Sequence, residues 1–194
     1  MPGRIVVLLS GAGSNMEALA DACEQDEVPA RVLGVIGDRP CRGIERARRR
    51  GIGAFVVDFK GFTDRGEWNR ALLERVRAFK PDLVVSSGFM RLLSPAFVDA
   101  FPERLVNQHP SLLPAYPGAH AVRDALAARA EKTGATIHFV DHGVDTGPIL
   151  LQEAVAIEPG DTEAALHQRI KEVERRLLPE ACRLLLERRW RGSA

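Results

Sequence analysis

A chain of 194 residues with 45% hydrophobic and 27% charged side chains is long enough for one folded domain, which buries roughly 70% of the surface its unfolded form exposes. Its net charge of +1 gives no electrostatic footing for a nucleic-acid partner, and apolar runs such as Ile5–Leu9 fall far short of the roughly 20 residues a membrane-spanning helix needs. Cys23, Cys41 and Cys182 are odd in number and lack metal-ligand spacing, and the first apolar run starts too early for a signal peptide, so a reduced, cytoplasmic protein without a metal is expected.

The first half alternates strand and helix. Arg4–Leu9 reads as a strand, and Asn15–Glu24 has helical spacing at Met16, Leu19, Ala20 and Cys23. Between them lies Ser10-Gly11-Ala12-Gly13-Ser14-Asn15. Its glycines let the backbone approach an anion, and amides that open a helix attract phosphate. A dinucleotide fingerprint needs a third glycine where Met16 stands, so the turn suits one phosphate rather than a pyrophosphate. The structural alternative is a tight turn in which Ser14 caps the helix and Glu17 closes a capping box. Arg31–Ile36 is a second strand and Gly43–Arg50 a short helix, whose terminal Arg46, Arg48, Arg49 and Arg50 before Gly51 suit a helix C-terminus. Ala54–Val57, a helix over Thr63–Phe79, and the strand Asp82–Ser87 follow. Apolar strands alternating with helices imply a parallel sheet covered on both faces, with ligands outside the carboxyl ends of its strands. Gly88–Pro95 (GFMRLLSP) leaves the fourth strand; its apolar side chains can wall a pocket for a flat heterocycle or form a buried strand-to-helix turn.

The second half is less regular. Leu105–Asn107 is a short strand entering Asn107-Gln108-His109-Pro110-Ser111-Leu112-Leu113-Pro114. Residues two apart on an extended segment share a side, so Asn107 and His109 project together with Gln108 turned away. Pro110, Pro114 and Pro117 forbid a helix here. Ala121–Ala130 is helical, and Thr136–Val140 and Ile149–Ile157 are strands flanking the loop Asp141–Pro148, which carries Asp145. A final helix covers Thr162–Arg176 and resumes after Pro179, with Arg175, Arg176, Arg188, Arg189 and Arg191 on its solvent face. An amide donor, an imidazole and a carboxylate together can bind a developing oxyanion and move a proton. Taken alone, Asp145 can equally cap a turn. Ser111 invites a Ser–His–Asp reading, yet no Gly-x-Ser-x-Gly surrounds it. His120, His138, His142 and His167 read as structural or exposed, and His138 and His142 straddle a strand and a turn rather than forming a metal pair.

Through IVVLLSGAGSN, SGFMRLLSPAF, NQHPSLLPAYPGAHAVRDAL and GATIHFVDHGVDTGPILLQ, in order and over essentially its whole length, the chain resembles the phosphoribosylglycinamide formyltransferase family of folate-dependent enzymes. The resemblance implies an α/β, Rossmann-like formyltransferase fold in one domain, 1–194, with a parallel mononucleotide-binding half (1–100) and a mixed-sheet folate and catalytic half (101–194) around one continuous sheet. It implies transfer of a formyl group from 10-formyltetrahydrofolate to the amine of glycinamide ribonucleotide in purine biosynthesis. Small-molecule substrates, no metal, no nucleic acid, no membrane, and a monomer or homodimer come with it. Carried over by position, Asn107, His109 and Asp145 are the catalytic trio. Gly13, Ser14 and Asn15 hold the ribonucleotide phosphate, and Lys171, Glu172, Val173 and Glu174 lie beside its ribose, with Glu174 as the leading contact. Met90, Arg91, Leu92 and Leu93, together with Asn107 and the loop Asp141, His142, Gly143, Val144 and Asp145, cradle the pterin, and Arg65 lies near the folate. The family commonly has an apolar or small residue where Gln108 stands, and often Asn or Thr where Ala12 stands. Gln108 is expected to face away from the chemistry, and Ala12 leaves the glycines intact.

In the implied mechanism, amine attack on the formyl carbon yields an oxyanion that Asn107 and His109 stabilise, while Asp145 holds His109 by charge and assists proton transfer. Hydrolysis of 10-formyltetrahydrofolate needs only water in place of the amine and is the first alternative. A non-catalytic mononucleotide-binding module of flavodoxin-like shape is the second, and it leaves the trio without purpose.

Overall fold

Runs of Val, Ile and Leu become strands buried on both faces. In the computed structural model, which describes the backbone of residues 1–191 and side chains through 188, β1 (Gly3–Leu9), β2 (Ala30–Gly37), β3 (Gly53–Val56), β4 (Leu83–Ser87), β5 (Leu105–His109), β6 (Lys132–Phe139) and β7 (Ile149–Ala156) form one sheet of order β3-β2-β1-β4-β5-β6-β7. The strands from β3 to β5 are parallel, whereas β6 and β7 run antiparallel to their neighbours. The chain winds outward from β1 to β3 and then returns to place β4 on the other side of β1. That reversal leaves a crevice at the carboxyl ends of β1 and β4.

Helices cover both faces. On one, α1 (Ser14–Glu24), α2 (Arg42–Arg49), α5 (Ala121–Ala127) and α6 (Glu163–Arg191) bury Leu19, Ile44, Val122, Ile170 and Leu178 against Val7, Val85, Val106 and Ile137. On the other, α3 (Arg65–Arg77) and α4 (Pro95–Asp99) bury Trp68, Leu72, Val76 and Phe97 against Leu8, Val84 and Leu105. Side chains alternate along β5: Leu105 points to the α3 face and Val106 to the α6 face. Asn107 and His109 therefore stand on the α3 side and Gln108 on the α6 side.

Several expectations shift. β5 continues two residues past the expected Asn107 to His109, so His109 as well as Asn107 lies within the strand. β6 begins at Lys132, four residues before the expected start, because Thr133 and Gly134 pair with Val155 and Ala154 of β7. Helix α6 runs unbroken through Pro179. The lost hydrogen bond and ring clash cost about 3 kcal/mol, and burial of Leu178, Leu185 and Leu186, at about 1.5–3 kcal/mol each, outweighs it. The capping box given as the alternative reading of this turn does not form. Gly13, at φ 76, occupies the N-cap of α1, and Glu17 pairs with Arg46 of α2 instead. The arginine cluster is structural: Arg50 joins α2 to α1 through Asp21 (2.5 Å) and Glu24 (3.3 Å), and Gly51 closes the helix at φ 72. Arg176 and Arg188 are exposed and Arg175 is half-buried, while the side chains of Arg189 and Arg191 lie outside the described residues. The strand-to-helix turn given as one reading of Gly88–Pro95 is present, and it opens the short helix α4 with Ser94 as N-cap and Pro95 in the first turn. Among the described residues no helix is long and apolar enough to cross a membrane.

Candidate active site

The turns after β1 and β4 meet in the crevice. Ser10 donates its amide hydrogen to Gly88 O (3.0 Å), and its hydroxyl oxygen accepts from the Met90 amide (2.8 Å). Gly13 is required sterically as well as by its φ, because a Cβ there would stand 2.6 Å from Gly43 Cα. With no side chain capping α1, the amides of its first turn and the positive end of its dipole face the crevice, where an anion is favoured.

At the carboxyl end of β5, the trio gathers around Asp145. Asn107 Nδ2 donates to Asp145 Oδ1 (3.3 Å), His109 Nδ1 stands 3.4 Å from Oδ2, and Oδ2 also accepts the Gly118 amide hydrogen (2.8 Å). The other ring nitrogen of His109 lies 2.8 Å from Tyr116 O. A carboxylate and a carbonyl can only accept, so both contacts are hydrogen bonds only for a ring that carries two N–H groups. Burial pushes the Asp145 carboxyl up, but a His138 hydrogen bond, the Gly118 amide and the charges of His109 and His138 outweigh it, and the group titrates below its ordinary value. Tyr116 and Asp145 both hold φ of 55, a strained conformation for residues other than glycine.

His138, expected to be structural, belongs to this cluster. It pairs directly with Asn107 across β5 and β6 and is almost fully buried. Its Nδ1 donates to Phe139 O (2.8 Å), which leaves Nε2 to meet Asn107 Nδ2 at 3.2 Å and Asp145 Oδ1 at 3.5 Å. Asn107 Nδ2 thus stands between the imidazole and the carboxylate. The polar alternation Thr136-Ile137-His138 carried the signal, but using it required the register of β6 on β5. Ser111 is fully buried with its hydroxyl donated to Ala115 O (2.6 Å), which removes it as a nucleophile.

On the α6 face the sheet presents a separate polar group. Glu174, 4% exposed, accepts from Asn15 Nδ2 (3.0 Å), and burial raises its carboxyl against the influence of the Gln108 and Asn15 side chains and the charges of Lys171 and Arg175. Asn15 Oδ1 is buried with no partner among the described residues, a situation that costs about 1–3 kcal/mol until a donor arrives. Of the other α6 residues carried over, Lys171 is half-buried near Glu174, Val173 packs into the core, and Glu172 is exposed.

On the α3 face, Met90 and Leu92 are more than half exposed and Val144 nearly so, as large apolar side chains of a binding wall would be. Arg65 Nη2 donates to Leu92 O (3.1 Å), and Leu93 packs against the core. The Arg91 side chain is drawn away, ion-paired with buried Asp38 (2.8 Å) and stacked 4.1 Å over the Phe59 ring. Asp141 closes its own loop by accepting from Gly143 N (3.0 Å) and Thr146 Oγ1 (2.8 Å), and His142 reaches Asp99 of α4 (2.8 Å). Among the described residues no cluster of three His, Cys, Asp or Glu is placed to hold a metal.

Residues 3–182 match the family described as formyl transferase. The chain is 50% identical to phosphoribosylglycinamide formyltransferase of Mycobacterium tuberculosis over 180 residues, 93% of this chain and 83% of that one. It is 42% identical to the enzyme of the same name from Escherichia coli over 176 residues, 90% of this chain and 83% of that one. The crystal structure of glycinamide ribonucleotide transformylase 1 from Symbiobacterium toebii superposes with a TM-score of 0.93 at 46% identity, covering 96% of this chain and 88% of that one.

Proposed function

The chain belongs to the formyl transferase family, and from that membership we propose that it is a phosphoribosylglycinamide formyltransferase of purine biosynthesis, which moves the formyl group of 10-formyltetrahydrofolate to the amine of N1-(5-phospho-β-D-ribosyl)glycinamide. The observation that carries this reading is the gathering of Asn107, His109 and His138 around Asp145 at the carboxyl edge of β5. Donors preassembled around one anion suit a second anion that forms transiently beside them.

The amine nitrogen attacks the formyl carbon, and the carbonyl opens to an oxyanion that takes hydrogen bonds from Asn107 and the His109 imidazolium. The nitrogen, now cationic, gives a proton to Asp145. The acid delivers that proton, directly or through water, to the folate nitrogen, whose bond to carbon breaks as the carbonyl re-forms. The proton lost by one nitrogen is gained by the other, so no covalent enzyme intermediate is needed. The ribonucleotide phosphate sits on Gly13, Ser14 and Asn15, with Lys171 alongside, and its ribose meets Glu174. The pterin lies between Met90–Leu93 and the Asp141–Asp145 loop, with Arg65 at its rim and Arg91 contributing main-chain groups. Polar groups on opposite faces of the sheet support this division, since the two substrates then meet at the strand ends.

Steady-state turnover of 10-formyltetrahydrofolate with and without the ribonucleotide tests the reading. Amine-dependent formation of the N-formyl product is expected. Equal turnover without amine means hydrolysis, and no turnover means a binding module; either result overturns the proposal.

A further inference from the structure

We propose that Gln108 is a positioning residue for the ribonucleotide: neighbouring residues of one strand serve the two substrates, Asn107 and His109 the formyl donor and Gln108 the acceptor. The inference rests on the assignment of Asn15 and Glu174 to that substrate. Gln108 was expected to play no part because it turns away from the trio. It does turn away, but into the polar group on the α6 face, where it is 6% exposed.

Two contacts define its role. Ser87, its directly paired neighbour on β4, donates its hydroxyl hydrogen to Gln108 Oε1 (3.4 Å). An amide held by its oxygen presents its NH₂ end elsewhere, and here that end favours the charged form of the neighbouring Glu174. The carboxyl is thereby held from two sides, by Gln108 of β5 and Asn15 of α1. A Glu side chain has several rotatable bonds, and α6 fixes only their root. Without Gln108, one of the two neutral side-chain donors orienting the carboxyl disappears. Asn15 feels the same change, because its NH₂ is spent on Glu174 while its buried Oδ1 awaits a donor, a role a ribose hydroxyl fills. The Ser87–Gln108 and Asn15–Glu174 pairs thus form one buried polar group that runs from the sheet to the helix start facing the phosphate.

The test is the Gln108→Met variant, similar in length and without hydrogen-bonding ends, assayed beside Glu174→Gln. Losing one hydrogen bond to a carboxylate predicts a rise of about tenfold in KM for the ribonucleotide, with kcat and the folate KM within about twofold of wild type. A defect in packing alone lowers the melting temperature without singling out one substrate's KM. Ser87→Ala, a milder change that frees the amide to rotate, is expected to raise the same KM by about two- to fivefold, and it serves if Gln108→Met does not fold. If Glu174→Gln raises the ribonucleotide KM and the foldable Gln108 or Ser87 variant leaves it unchanged, the role of Gln108 is overturned while the substrate assignment stands. If Glu174→Gln also leaves it unchanged, the assignment itself falls.

Discussion

His109 Nε2 and the carbonyl oxygen of Tyr116 stand 2.8 Å apart, so the loop that follows β5 folds back onto the imidazole it delivers. Two residues on, the Gly118 amide binds Asp145 at 2.8 Å. The 116–118 segment therefore occupies hydrogen-bonding positions on two members of the trio, and a substrate carbonyl reaches His109 only after Tyr116 lets go. Tyr116 is the one tyrosine of the chain, so fluorotyrosine incorporation yields a single reporter. Its ¹⁹F resonance is expected to shift when a folate analogue and the ribonucleotide bind together. A crystal structure of that complex is expected to show the 109–116 pair separated beyond about 3.5 Å. An unmoved resonance in a saturated ternary complex would falsify the opening of this loop.

Much of this site was legible in the sequence, and the boundary of legibility has physical causes. Asn107 and His109 were readable together because a strand's period of two is local, and the Gly-rich turn because its glycines answer to local φ and contact limits. His138 was not, since its place beside Asn107 depends on antiparallel pairing between segments separated by the whole 110–131 stretch. Gln108 and Glu174 meet across 66 positions, so neither residue type nor spacing foretold the contact. Pro179 misled for the opposite reason: a local rule of helix breaking lost to burial of the residues around it.

His138 holds the Asn107 amide from one side while Asp145 holds it from the other. His138→Leu leaves the amide free to rotate its oxygen toward the reacting carbonyl. A fall of about 10²-fold in kcat is expected with both KM values within a few-fold, and Asn107→Ala or His109→Ala is expected to cost about 10²–10³-fold. Equal kcat for wild type and His138→Leu in a stopped assay of product formation sinks the orienting role.

The lowered Asp145 carboxyl makes a statement about stability. Its partners favour the charged form in the folded state, so the stabilisation is fully present above the ordinary value of 3.8 and is lost as pH falls through the folded-state value. Asp145→Asn is therefore expected to be less stable than wild type at pH 7, with the gap closing as the solution is taken below pH 3.8. Urea midpoints across that range provide the measurement, and a gap constant with pH argues against the charge coupling.

Glu174 behaves with the opposite sign. Burial raises its carboxyl, so the folded protein holds the proton more tightly than the unfolded chain, and stability falls as pH rises from the ordinary value of 4.5 through the folded one. Glu174→Gln removes that loss and is expected to be as stable as wild type near pH 4 but more stable at pH 7. A lower melting temperature for the variant at neutral pH would show that its hydrogen bonds outweigh the cost of burying the charge.

Gly147 ties the turn after β6 to the chemistry. A Cβ at this position would stand 1.8 Å from the carbonyl oxygen of Phe139, the same oxygen that accepts from His138 Nδ1. Adding a methyl group forces that carbonyl aside, releases His138, and through it disturbs Asn107 and Asp145. Gly147→Ala is expected to lose about 1–3 kcal/mol of stability by overpacking and to lower kcat by more than about tenfold, because the displaced atom is two contacts from Asn107. Gly61→Ala, where a Cβ meets only the Asp58 Cβ at 4.0 Å, is the matched control and is expected to stay within about 0.5 kcal/mol of wild type. If urea denaturation finds the two variants equally stable, the Phe139 carbonyl yields freely and His138 is held by something other than this contact.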